Sequence, residues 1–91
     1  MSVKRKAAKT NPNLRMAFLE VVDNQLRDNN PPETKETLER LIREGYSAER
    51  AKELIAQVVA LESYVVLKTK TTFNRERFVR NLTALLQELK E

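Results

Sequence analysis

Of the side chains that could do chemistry, Glu62 has the most unusual setting. Helical spacing from Val58 and Val59 to Val65 and Val66 puts its carboxylate on the apolar side of a helix. A charge there must find partners or change its pKa. It could serve as a general base, a ligand for a hard cation, or a hydrogen-bonding anchor; equally, it could lie at the rim of the stripe and reach water. Gln25 has a comparable place on an earlier helix, and its amide could donate to Glu62 if the two stripes face each other. Such a contact would fix helix register. Tyr64 and Tyr46 could join through their hydroxyls, or simply pack at the core edge.

Little else in the chain suits catalysis. With no cysteine and no histidine, thiolate nucleophiles, imidazole bases and the usual zinc, haem and iron–sulfur ligands are excluded. A dinuclear carboxylate centre in a helical bundle draws on Glu-x-x-His pairs, which this sequence cannot supply. Ser2, Ser47 and Ser63 have no imidazole partner, and Gly45, the single glycine, cannot make a glycine-rich phosphate loop. The expectation is a protein that is not an enzyme and carries no cofactor.

The basic residues point instead to binding. Lys4, Arg5, Lys6 and Lys9 account for the whole net charge of +4, leaving the rest of the chain charge-balanced. Further along, Lys68, Lys70, Arg75, Arg77 and Arg80 stand against one acid, Glu76. The two groups together could hold phosphates, with non-specific affinity and strong salt dependence; alternatively they are a solvated tail and helix face.

Four segments must position these residues. Residues 1–10 hold almost no large apolar side chain and are expected to be a flexible, disordered basic arm, followed by a single helical domain over 11–91. Asn11-Pro12 is a helix start, and Leu14, Phe18, Val21, Val22 and Leu26 recur at three- and four-residue steps to Asp28. Pro31-Pro32 separates a second helix, 32–44, with Leu38, Leu41 and Ile42 inward and Gly45 as its left-handed terminator. Ser47 caps a third, 48–70, whose inward series is Ala51, Leu54, Ile55, Val58, Val59, Val65 and Val66; no decisive breaker marks its end. Asn74 caps the fourth, 75–90, where Phe73 and Phe78 have the spacing of a hydrophobic staple and Val79, Leu82, Leu85, Leu86 and Leu89 follow. The fold class expected is all-α, a compact bundle of four helices.

Asn11-Pro12-Asn13-Leu14, Gln25-Leu26, Pro31-Pro32 and Glu62, in that order and over residues 11–89, resemble an uncharacterised bacterial family of small helical proteins, a domain of unknown function. That family's histidines, one turn apart on the Asn-Pro helix and again on the long helix, imply a metal site. Here Arg15 and Leu19 occupy the first-helix positions, so no metal carries over, and Glu62 and Gln25 are the matching polar positions. The resemblance implies no particular activity.

Met16, Leu19, Leu61 and Leu67 fall off the main stripes, and surplus apolar surface marks interfaces. The function expected is therefore protein–protein interaction or self-association, for example as a homodimer. The alternative is a nucleic-acid-binding module using the arm and Lys68–Arg80; a third is a ligand or metal binder centred on Glu62. The N-terminus has no apolar stretch after its basic residues, and no segment is apolar enough to span a bilayer, so a cytoplasmic protein without membrane contact is expected.

Overall fold

A computed structural model describes residues 12–90, with side chains placed for 14–85. The expected basic arm, with Lys4, Arg5, Lys6 and Lys9, lies outside the described residues. Four helices follow in order: α1 Pro12–Asp28, α2 Pro32–Arg43, α3 Ala48–Thr69 and α4 Arg75–Lys90. They form an all-α bundle, and among the described residues there is no strand.

Each boundary has a local cause. At the end of α1, Asn29 takes a left-handed φ of 52°, its N–H donates to Leu26 O, and the Asn30 N–H donates to Gln25 O. These paired bonds satisfy carbonyls that the ending helix would leave open. α2 ends the same way at Gly45, whose φ of 107° favours a residue without Cβ; Gly45 N–H donates to Ile42 O and Tyr46 N–H to Leu41 O. α3 ends at Lys70, also left-handed, where Thr69 Oγ1 donates back to Val65 O at 2.7 Å. The sequence held no obvious breaker there because a lysine is not a usual left-handed cap. At the start of α3, Ser47 Oγ accepts the Arg50 N–H at 3.0 Å, as its type predicts.

Val22, Leu41, Ala51, Leu54, Ile55, Ala56, Val58, Val59, Phe78 and Leu82 form one core drawn from all four helices. α3 packs against each of the other three, as does α2, whereas α1 and α4 do not touch among the described residues. Arg15 and Asp23, about two turns apart on α1, form salt bridges with the adjacent Glu53 and Lys52 of α3. α1 therefore lies across the first half of α3. α2 and α4 run side by side in the same direction, joined at their first turns by Arg75 and Glu33 at 3.4 Å.

This arrangement corrects the stripe read on α1. Leu19, expected to be surplus, packs against the core, while Leu14 is 53% exposed and Val21 also faces water. The reason is one-sided cover: α1 meets α3 and α2 but not α4, so the buried arc shifts towards Leu19 and Leu26 and uncovers the opposite edge. Ile42 on α2 is likewise exposed.

The register makes a test. Phe78→Ala empties a fully buried site and is expected to cost about 4 kcal/mol, whereas Ile42→Ala should cost about 1 kcal/mol or less. Urea unfolding followed by circular dichroism measures both; equal costs would contradict this packing.

Candidate functional site

Glu62 is fully buried on α3. Its Oε1 accepts from Arg77 Nε at 2.8 Å, and its Oε2 accepts from Arg77 Nη2 at 2.6 Å and from the Asn74 backbone N–H at 2.9 Å. The guanidinium fork thus meets the carboxylate through two parallel bonds, the strongest geometry for this pair. Arg77 itself is 27% exposed, which leaves one side of it in contact with water.

The site grows out of the start of α4. Asn74 Oδ1 accepts the Arg77 N–H at 2.8 Å, capping the helix, and the Phe73 and Phe78 rings lie 5.4 Å apart in the staple that their spacing predicts. A local capping box would place Glu or Gln at the third helical position to accept the cap residue's own N–H. Arg77 stands there instead, so the acceptor comes from another helix. The N-terminus of α4 also favours a negative charge through its dipole.

Electrostatics follow this geometry. The Arg77 hydrogen bonds hold the Glu62 carboxyl below its ordinary range, against burial, which pushes it up; the Asn74 N–H adds to the lowering. Arg77 is raised in turn by Glu62. Three of the roughly four acceptor positions of the carboxylate are thus occupied, one on Oε1 and two on Oε2, and its lowered pKa is opposite to the raised one that suits a carboxyl acting as general base near neutral pH. Among the described residues no group of three or more acidic side chains is placed to hold a metal ion.

The other sequence-predicted residues are dispersed. Gln25 does not reach Glu62: its Oε1 accepts from Thr34 Oγ1 at 2.8 Å, tying α1 to α2. Tyr64 is 59% exposed and lies apart from this site, with the Lys68 ammonium 5.7 Å from its ring centre and 3.4 Å from its hydroxyl. Of the basic run, Arg77 is committed to Glu62 and Arg75 to Glu33, while Lys68, Lys70 and Arg80 form no salt bridge among the described residues. Met16, Leu61 and Leu67 are exposed as expected for surplus apolar residues. Thr34 and Thr37, both buried on α2, had no signal in the spacing beyond their place among Leu38 and Leu41.

A hollow of about 110 Å³ between α2 and α4, lined by Glu33, Glu36, Thr37, Arg40, Val79 and Thr83, has room for a few waters rather than a substrate. A wider depression of about 540 Å³ runs beside Met16, Ala17, Leu19, Glu20 and Asp23 of α1 and is open to solvent.

The Glu62 pair carries a pH prediction. Its folded pKa lies below the unfolded value of about 4.3, so its contribution to stability is fully present above that value and is lost as pH falls through the folded pKa. Glu62→Ala should cost about 3 kcal/mol at pH 7. Arg77→Met should reverse the sign: the orphaned carboxylate, dominated by burial, takes a folded pKa above the unfolded one, and stability then rises on acidification from pH 7 towards pH 5. Denaturation midpoints across that range check it, and an unchanged pH slope would contradict the pairing.

No family model, no curated protein and no solved structure matches this chain.

Proposed function

We propose that this chain is a non-catalytic, helical protein-interaction domain that docks through the outward face of α3. The observation that carries this is the row Leu61, Tyr64 and Leu67, at three-residue steps on one side of the helix and 48%, 59% and 78% exposed. On a helix these steps span about a third of the circumference, so the three side chains form one patch. Polar Gln57 and Lys68 flank it, in the manner of an apolar centre with a polar rim. α3 is also held by all three other helices, which makes it a rigid platform.

Two alternatives are less well supplied. A nucleic-acid surface over Lys68–Arg80 loses Arg77 to a buried carboxylate and shares Arg75 with Glu33. A ligand centre at Glu62 would have to displace three hydrogen bonds from a carboxylate with no exposed surface. The resemblance to the uncharacterised bacterial family adds no activity to either.

A photo-crosslinking residue placed at Leu67 and, as a control, at Glu39 on the exposed side of α2 tests the docking face in living cells. Discrete protein adducts are expected from position 67 and not from 39. Identical patterns, or none from position 67, would overturn the proposal.

A further inference from the structure

The α3 face has a second property that names its occupant. Gln57, Leu61, Tyr64 and Lys68 follow one another at steps of four, three and four residues, the spacing of a coiled-coil seam, and all four are exposed. We infer that, if this face is the docking surface just proposed, its partner is a second copy of the chain, with the two α3 helices packed antiparallel about a two-fold axis level with Glu62 and Ser63.

Self-complementarity supports this choice. Under that axis Leu61 of one copy meets the partner's Tyr64, and the strongly exposed Leu67 covers the partner's Ala60, a small and half-buried residue that leaves room for it. Gln57 meets the partner's Lys68, from whose ammonium its amide oxygen can accept, while Glu53, one turn further along, stays paired with Arg15 and Arg50. Every large apolar side chain of the patch is thereby covered, and each cation finds an acceptor. A parallel pair would instead set Lys68 against Lys68 and Tyr64 against Tyr64. An isologous contact repeats each pairing twice, so its complementarity counts double.

The patch is small beside a standard interface, so a weak, reversible association that responds to concentration is expected.

Sedimentation equilibrium of the full chain from about 20 µM to about 1 mM should show the mass rising from 10.6 kDa towards twice that value. Leu67→Asp and Tyr64→Asp should hold it monomeric while leaving the melting curve unchanged, since both side chains lie at the surface. Gln57→Glu should tighten the dimer about three- to tenfold at low salt, Lys68→Glu should weaken it, and Gln57→Lys combined with Lys68→Glu should restore it. A strict monomer at the highest concentration, or a dimer indifferent to these substitutions, overturns the inference. If the chain stays monomeric while position 67 still crosslinks to a different protein, the docking face stands and the second copy is excluded. If position 67 gives no adduct, both fail together.

Discussion

A carboxylate with no access to water has to be satisfied from within the protein, and meeting that demand at Glu62 organises one end of this molecule. Three donors converge on it: two from the Arg77 guanidinium and one from the Asn74 backbone. Because Asn74 is also the cap of α4, the same carboxylate fixes where α4 begins, how it is rotated, and how the 70–74 connection closes. Helix capping is ordinarily settled within four consecutive residues. Here it is shared between two helices: Asn74 Oδ1 caps α4 locally, and the Asn74 N–H is satisfied by Glu62 of α3.

Such an arrangement does not have to raise stability above that of an apolar substitute. Desolvating two charges costs several kcal/mol each, to be offset by their attraction and their hydrogen bonds. What the pair supplies is selectivity among packings. An apolar α4 could slide or rotate against α3 with only gradual loss of contact, whereas displacement by a single residue would leave a buried charge unpaired. The Thr34–Gln25 bond works in the same sense between α1 and α2, with a neutral pair and a smaller penalty.

The elements were legible in the sequence because their signals are local. Pro12, Pro32, Ser47, Asn74 and Gly45 each act within one turn of their own position: the four helices begin where the first four place them, and α2 ends at Arg43, just before Gly45, whereas the end of α3 has no such local mark. The Phe73–Phe78 staple was equally local. Partners across the bundle were not legible. Gln25 and Glu62 both sit on inward stripes, and nothing in a stripe says which other stripe it faces; the chain order of α2 and α4 about α3 decides that, and it assigned them Thr34 and Arg77. The error at Leu19, Leu14 and Val21 has the same origin, since a periodic pattern tells that one side is buried but not how wide the neighbouring helices make that side. Arg77 could have been suspected on one ground: an arginine where a capping box wants a glutamate leaves the cap N–H in need of a distant acceptor.

The burial of Glu62 also explains why the apolar patch of α3 is outside. Successive residues of a helix are turned by about 100°. Once Glu62 is turned inward to meet Arg77, Leu61 stands about 100° away, Leu67 about 140° and Tyr64 about 160°, all pointing away from the core. The inward arc of α3 is already filled by Ile55, Val58 and Val59, so no rotation buries the outward row without withdrawing those residues and stranding the carboxylate. The exposed leucines are therefore not a failure of packing that a slightly different fold would repair. They are held in water by the same turn of the helix that carries Glu62 inward.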